Sequence, residues 1–362
     1  MTALDDLQPY LAGPEASLRA VTELIDRNAQ GIALICDRER HLLGTITDGD
    51  IRRAILSCTS SEEPVRGLLE RKAREDKMYP APVTAPPGTS PGELIHLMNE
   101  RSIRHLPIVD GERRVVGLAL LSELVRDYEL PLRAVVMAGG LGTRLRPLTE
   151  RTPKPMLPVG GRPILAHILD QLRASGINRV NVTTHFHPDV ITEHFGDGHE
   201  FGVELTYVPE NQPLGTAGGL GQLLSDDQPL LVMNGDILTG VDFRAMLDFH
   251  REHEAEMTLA VREEEFQLPF GVVETRDVHV TRIEEKPTIR RFVNAGIYVL
   301  EPTVRAYIPA GEAMDIPHLI ECLIADGRRV VSFPVREYWL DVGQPHTYEQ
   351  AERDYEAGKI RR

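Results

Sequence analysis

The twenty residues from Cys36, CDRERHLLGTITDGDIRRAI, lie without a gap over those from Val109, VDGERRVVGLALLSELVRDY, 73 positions later. Asp37 falls on Asp110, Glu39 on Glu112, Arg40 on Arg113, Gly44 on Gly117 and Arg53 on Arg126. A gap-free internal match of this kind requires the first third of the chain to build one supersecondary unit twice. In each copy an apolar run, Ile32 to Cys36 or Leu106 to Val109, predicts a strand. A charged turn, a second apolar run and a helix follow, with Asp48 and Ser122 expected to cap the two helices. An amphipathic helix precedes each copy, the second opening at SPGELIHLMNER, and APVTAPPGTSPG between them reads as a loop.

The whole chain has 362 residues, enough for two or three domains at about 150 residues each. Its 41% of hydrophobic residues suits packed cores and excludes both a disordered chain and a disulfide-stapled mini-protein. Forty basic residues against 55 acidic ones give a net charge of −15, which argues against nucleic-acid partners and against an anionic membrane surface. No apolar run approaches the ~18 residues of a membrane span. MTALDDLQPYLAG lacks a basic n-region and carries Asp5 and Asp6 where a signal peptide is apolar. Cys36, Cys58 and Cys322 show no C-x-x-C spacing. A reduced, cytoplasmic protein is expected.

After the short stretch Glu129–Leu132 the pattern changes. RAVVMAGGLGTRLRPLT predicts a buried strand, Ala134 to Met137, running straight into a glycine-rich turn. Gly139, Gly140 and Gly142 remove side chains, so that backbone N–H groups can point at a phosphate. The spacing misses both the G-x-G-x-x-G and the G-x-x-x-x-G-K-[ST] fingerprints. Instead Arg144 follows the glycines, and TPKPMLPVGGRPIL presents Lys154 between two stiffening prolines. An arginine and a lysine beside a nest of amides suit a polyphosphate. In LLVMNGDIL an apolar strand ends at Asp236, and Asp341 follows the short apolar stretch of YWLDVG. Either aspartate alone could be a turn former; brought together they would make a hard oxygen site suited to Mg²⁺. His185, His187, His194 and His199 fit no zinc spacing, and Asp242 to Arg251 reads as a surface helix.

From Leu132 to the C-terminus, AGGLGTRLRPLT, PKPMLPVGGRPIL, PENQPLGTAGGL, MNGDIL, FGVVE, IEEKP, NAGIY and WLDVGQPHTY occur in the order found in the sugar-1-phosphate nucleotidyltransferases (nucleotide-sugar pyrophosphorylases), which the chain resembles. The resemblance implies an α/β fold with a doubly wound, mostly parallel, Rossmann-like sheet. It implies transfer of a nucleotidyl group from an NTP to a sugar 1-phosphate, releasing pyrophosphate. Ala138, Gly139, Gly140, Gly142, Thr143, Glu210 and Gly215 would line the nucleotide. Arg144 would face the departing pyrophosphate, Lys154 the triphosphate and Lys286 the attacking phosphate. Mg²⁺ would sit on Asp236 and Asp341, and Gly271, Glu285, Asn294 and Gly296 would line the sugar pocket. PLGTAGGL, with Gly215, Gly218 and Gly219, would be a flexible loop laid against the base.

Base identity turns on Glu210, where uridylyl- and thymidylyltransferases of the family often place a glutamine. A carboxylate only accepts hydrogen bonds, and guanine's N1–H and N2–H₂ offer two adjacent donors. GTP is therefore expected, with UTP or dTTP as the alternative; resemblance to proteins that join a CBS pair to the transferase implies glucosamine 1-phosphate or mannose 1-phosphate as acceptor. Relatives that serve as scaffolds tend to lose the arginine, the lysines or the carboxylates, whereas this sequence keeps them all. No hexapeptide repeat is present, so a fused acyltransferase half is not expected.

Residues 10 to 128 resemble a tandem pair of cystathionine-β-synthase-type (CBS) regulatory modules. The family's Thr-x-x-Asp element, which holds a nucleotide ribose, is matched by Thr47 and Asp50. The second copy has Leu120 and Glu123 there, so one adenine-nucleotide site per pair is implied. The competing reading is a docking or dimerising module with no ligand, and a homo-oligomer is expected. The domains would then be an α+β CBS pair at 1–128 and a transferase domain at 132–362.

Overall fold

The computed structural model describes residues 7–75, 81–101, 103–124, 129–210, 212, 214–223 and 228–360. The chain divides into two compact units, Met1–Tyr128 and Glu129–Arg362. Among the described residues no helix is long and apolar enough to cross a membrane.

The first unit is the repeat built twice. Its first copy comprises β1 (Leu11–Ala12), α1 (Leu18–Asn28), β2 (Ile32–Cys36), β3 (Leu42–Thr47), α2 (Asp48–Leu56) and α3 (Val65–Glu75). The second comprises α4 (Pro91–Glu100), β4 (His105–Val109), β5 (Val115–Leu120) and α5 (Leu121–Leu124). The correspondence reaches upstream of the matched twenty residues. Ser17 caps α1 and Ser90 caps α4, each hydroxyl accepting the N–H three residues on. Ala12 pairs in parallel with Ile35, and Ala85 bridges to Ile108 at the same offset. The two hairpins, β2–β3 and β4–β5, meet at a bridge between His41 and Arg114, and Ile32, Leu34, Leu118 and Leu120 share one buried cluster.

Both helix starts differ from the sequence expectation. α2 begins at Asp48, but its cap is Thr47. The Thr47 hydroxyl accepts the Asp50 N–H while Asp50 Oδ2 accepts the Thr47 N–H at 2.8 Å, and this reciprocal box satisfies two end groups where Asp48 alone would satisfy one. α5 begins at Leu121 and takes Ser122 inside the helix. Its entry is set by the Leu121 N–H donating to Arg104 O at 2.9 Å, as the Asp48 N–H donates to Gly31 O at 2.9 Å. Arg126 lies outside the described residues.

The second unit comprises β6 (Arg133–Met137), β7 (Pro158–Val159), β8 (Arg162–Pro163), α6 (Ile164–Ala174), β9 (Arg179–Thr184), α7 (Pro188–Phe195), β10 (Glu204–Pro209), α8 (Gly215–Gly218), β11 (Leu230–Asn234) and β12 (Ile237–Thr239). It continues through α9 (Phe243–Glu252), β13 (Met257–Gln267), β14 (Val272–Arg276), β15 (His279–Glu284), β16 (Thr288–Leu300), α10 (Ile316–Ala325), β17 (Val330–Pro334), β18 (Trp339–Asp341) and α11 (Pro345–Glu356). Seven strands form one sheet in the order β10-β9-β6-β11-β16-β13-β17. All neighbours run parallel except β16, which is antiparallel to both β11 and β13. The sheet is therefore mixed and largely parallel, and its central strands read as continuous apolar runs because both faces are covered. Val135, Val232, Tyr298 and Leu319 belong to one buried cluster that joins the sheet to α10.

The chain winds from β6 outward to β9 and β10, then returns to lay β11 on the other side of β6. That reversal makes a switch point between β6 and β11, the place where such sheets bind ligands. The segment 242–251 is more than a surface helix: Asp242 caps α9, and Phe243, Met246, Leu247, Phe249 and His250 are buried against the sheet.

Candidate active site

The switch point brings together the ends of β6 and β11. Gly235 donates its N–H to Met137 O at 2.9 Å, and a Cβ there would stand 2.7 Å from that same oxygen. Only glycine allows this approach, which delivers Asp236 to the carboxyl edge of the sheet. β12 then pairs with β18 so that Ile237 opposes Asp341, and the Val342 N–H donates to Asp236 O at 3.0 Å. The two aspartates are thus side by side although they come from distant segments.

Lys154 reaches the same place from a 3₁₀ turn, Lys154–Met156, with Pro153 as its cap. Its Nζ ion-pairs with Asp236 Oδ2 and lies 3.9 Å from Asp341 Oδ1. Burial and the neighbouring Asp236 push the Asp341 carboxyl above its ordinary range, against the pull of Lys154 and Arg144. Asp236 Oδ1 and Asp341 Oδ1 are buried without a hydrogen-bond partner. Two orphaned, hard carboxylate oxygens that destabilise one another fit a divalent cation. Arg144 is exposed on the 3₁₀ turn Thr143–Leu145, which follows the glycine loop.

The glycine loop itself is tied down at both ends. Ala138 donates its N–H to Thr183 O at 3.1 Å, and the Thr149 hydroxyl donates to Gly142 O at 2.7 Å. Gly142 has φ +60°, and a Cβ would meet Thr149 Cγ2 at 2.9 Å. Around Gly140 nothing lies within 4 Å of where a Cβ would be, so its backbone faces open space.

Glu210 lies between the two glycine loops. A Cβ on Gly139 would stand 3.5 Å from its Oε2, and one on Gly219 would stand 2.7 Å from its Oε1. Its backbone carbonyl accepts from His185 Nδ1 at 2.8 Å, and its Oε2 accepts the Leu214 N–H at 3.3 Å. Asn211 lies outside the described residues, and Gln212 donates through Nε2 to Gly311 O at 3.3 Å. The second loop contains a short helical turn that the sequence reading did not give. Gly215–Gly218 is a helical turn pinned by Met314, whose carbonyl accepts from Ala217 at 2.8 Å and from Gly218 at 3.1 Å. Gly215 has φ +73° and sits against Met314 O and Asp315 Oδ1.

The expected sugar-side residues form two groups. A Cβ on Gly271 would stand 3.0 Å from Glu285 Oε2, so these two share the base of the β14–β15 hairpin. Asn294 Nδ2 donates to the Tyr298 hydroxyl at 2.8 Å and Asn294 Oδ1 accepts the Gly296 N–H at 2.9 Å. The Asn234 amide lies against Gly296, 2.7 Å from where a Cβ would be. Lys286 is exposed at φ +47°. No hydrogen bond or ion pair among the described residues joins Glu285 or Lys286 to Lys154, Asp236 or Asp341. Sequence reading missed Asn234, which adjoins Asp236 in the same motif, and also Arg262 and Trp339, whose guanidinium and ring lie 5.9 Å apart.

In the first unit, Thr47 and Asp50 are together but committed. Asp50 is 2% exposed. Its Oδ2 accepts from the Thr47 N–H, the Thr47 hydroxyl and Lys72 Nζ at 2.8, 3.0 and 2.8 Å, and its Oδ1 from Arg53 Nη2 at 2.5 Å. Burial opposes ionisation here, but Lys72 and Arg53 outweigh it and hold the carboxyl below its ordinary range. The carboxylate expected to face a ribose is thus already fully hydrogen-bonded within the protein.

Residues 133–358 match the Nucleotidyl transferase family, and residues 5–57 and 74–129 match the CBS domain. The chain belongs to the Nucleotidyl transferase family and carries two CBS domains ahead of the transferase region. It is 39% identical over 236 residues to the mannose-1-phosphate guanylyltransferase of Mycobacterium tuberculosis, covering 62% of this chain and 65% of that protein. It is 33% identical over 227 residues to the mannose-1-phosphate guanyltransferase of Emericella nidulans, covering 60% of this chain and 62% of that one. The chain thus spans just under two thirds of the length of these curated relatives. HddC from Yersinia pseudotuberculosis has the same fold, with a TM-score of 0.50 and 24% identity over 62% of this chain and 99% of that one.

Proposed function

We propose that this protein transfers guanylyl from GTP to mannose 1-phosphate, giving GDP-mannose and pyrophosphate. The observation that carries nucleotidyl transfer is the meeting of Lys154, Asp236 and Asp341 at the switch point, beside a glycine loop followed by Arg144. A phosphate oxygen of the sugar 1-phosphate forms the new bond to the α-phosphorus, and the bond from that phosphorus to the bridging oxygen of pyrophosphate breaks. No covalent enzyme intermediate is required, so the work of the chain is positioning and charge neutralisation. The open backbone at Gly140 admits the phosphates, Lys154 neutralises the triphosphate, and Arg144 draws charge onto the departing pyrophosphate. Lys286 holds the attacking phosphate, while Glu285 and Asn294 accept sugar hydroxyls. Asp236 and Asp341 would hold Mg²⁺, which when bound screens the charge between the two phosphates.

Guanine and mannose rest on separate supports. Glu210, placed between the glycine loops, offers a carboxylate to two adjacent donors, and the curated relatives are named for mannose 1-phosphate and guanylyl transfer. A product assay with the common NTPs against mannose, glucosamine and glucose 1-phosphates tests both. GDP-mannose as the preferred product is expected; a preference for UTP or dTTP would overturn the base assignment and leave the reaction class standing. For the first unit we propose regulation through one adenine-nucleotide site at Thr47 and Asp50.

A further inference from the structure

A cleft of about 440 Å³ opens beside Asp341, with Arg144, Arg262 and Trp339 among its walls. Arg144 is accounted for by the proposed reaction, but Arg262 is not. It leaves β13 opposite Val293, one position after Val261 pairs with Asn294. Its guanidinium lies over the Trp339 ring at 5.9 Å. Its Nε–H donates to Glu264 Oε1 at 3.1 Å and its Nη1 donates to Glu337 O at 3.4 Å. Trp339 is fixed in turn, its Nε1–H donating to Ala295 O at 2.8 Å within NAGIY.

A guanidinium has five N–H donors in a rigid fork. Two are used here, and among the described residues Nη2 has no acceptor, while the side chain is 34% exposed. A cation–π contact with the indole and hydrogen bonds at two edges hold the fork in one orientation, the arrangement that suits two-point recognition of a phosphate. The carboxylates in the cleft do not cancel this charge from the open side. Glu264 is engaged with Arg262 Nε, and Asp341 faces Lys154 and Asp236.

We propose that Arg262 binds a phosphoryl oxyanion of the reacting substrates, either the departing pyrophosphate or the phosphate of the sugar 1-phosphate. This rests on the nucleotidyl-transfer reading and adds a second guanidinium to it. The competing role is a strut that only ties β13 to the segment before β18.

Trp339 is the one tryptophan in the chain, so its emission reports on this cleft. The test is a fluorescence titration of the full-length protein with magnesium pyrophosphate and, separately, with mannose 1-phosphate. Wild type is expected to respond saturably to at least one, and the responding ligand identifies the source of the oxyanion. Arg262→Gln should weaken that affinity at least tenfold, and Arg262→Lys should fall between the two, since lysine keeps the charge and loses the fork. A strut would leave the affinities of both variants at the wild-type value, and that result overturns the proposal, as does a wild type whose emission answers neither ligand. If Arg262→Gln fails to fold, Arg262→Lys alone decides by the same criterion. Failure of the underlying reading shows separately, as a wild-type protein that forms no nucleotide sugar from any NTP.

Discussion

Gly219 and Glu210 share one space: a methyl group on Gly219 would lie 2.7 Å from Glu210 Oε1. The colliding atom is the free end of a side chain, so Gly219→Ala should fold, displacing the carboxylate instead of the backbone. If Glu210 reads guanine, Gly219→Ala should lower kcat/KM for GTP about tenfold, the scale of one lost charge-assisted hydrogen bond at about 1.5 kcal/mol. Glu210→Gln should reduce the ratio of GTP to UTP turnover, because its amide presents one donor where guanine needs an acceptor. An unchanged GTP/UTP ratio in both variants would remove Glu210 from base recognition.

Asp236→Asn tests the paired carboxylates. The substitution removes the charge that Lys154 faces and one of the two orphaned oxygens. Turnover should fall by about 10²–10³-fold, with circular dichroism showing the fold retained, and EDTA should abolish wild-type activity. Full turnover in EDTA would contradict the assignment of a divalent cation to Asp236 and Asp341.

The buried Asp50 predicts a pH-dependent contribution to stability. Its folded pKa is depressed by Lys72 and Arg53, so the unfolded state binds the proton more readily. The stabilisation is therefore fully present above the ordinary carboxylate value of 3.8 and is lost as pH falls through the lower folded value. Asp50→Asn should cost about 3 kcal/mol at neutral pH, the scale for breaking a buried ion pair. In denaturant melts of the full chain followed by circular dichroism, the difference from wild type should hold from pH 7 to about 5 and shrink below about 4. A difference that persists undiminished at pH 3 contradicts this account.

How far the sequence could reach depends on where a residue's partners lie. Lys154, Asp236 and Asp341 were legible because each lies at or just past the end of an apolar strand or in a proline-bracketed loop, and the switch point of the sheet then collects them. Ser17 and Ser90 stand at the repeat offset, yet the helices they cap diverge in sequence, so an upstream helix in each copy was legible but the matching caps and strand pairings were not. Asp50 was visible as a candidate, but its neutralisation by Lys72, 22 residues away on α3, leaves no local pattern. The same holds for the helical turn Gly215–Gly218: its glycines give no local helix signal, and the Met314 carbonyl that accepts from Ala217 and Gly218 lies far along the chain. Arg262 escaped notice because an arginine among three glutamates on a strand reads as a solvated charge run until Trp339 is placed beneath it.

The last prediction concerns a ligand for the CBS pair. Asp50 is held by Lys72, Arg53 and Thr47, whereas the positions equivalent to Thr47 and Asp50 in the second copy are Leu120 and Glu123, with Glu123 exposed. Ribose hydroxyls at the first copy must donate to a carboxylate that already accepts four hydrogen bonds, and displacing Lys72 from it weakens the gross interaction. Binding is therefore expected at one site per chain and with modest affinity, in the range of tens to hundreds of micromolar, about 5–6 kcal/mol. Calorimetry of the full chain with AMP, ADP and ATP should show this stoichiometry, and Asp50→Ala should abolish the heat. If none of the three binds at millimolar concentration, or if Asp50→Ala binds as well as wild type, the ribose role of Asp50 fails. Its carboxylate then serves only to hold α2 and α3 together through the capping box and Lys72.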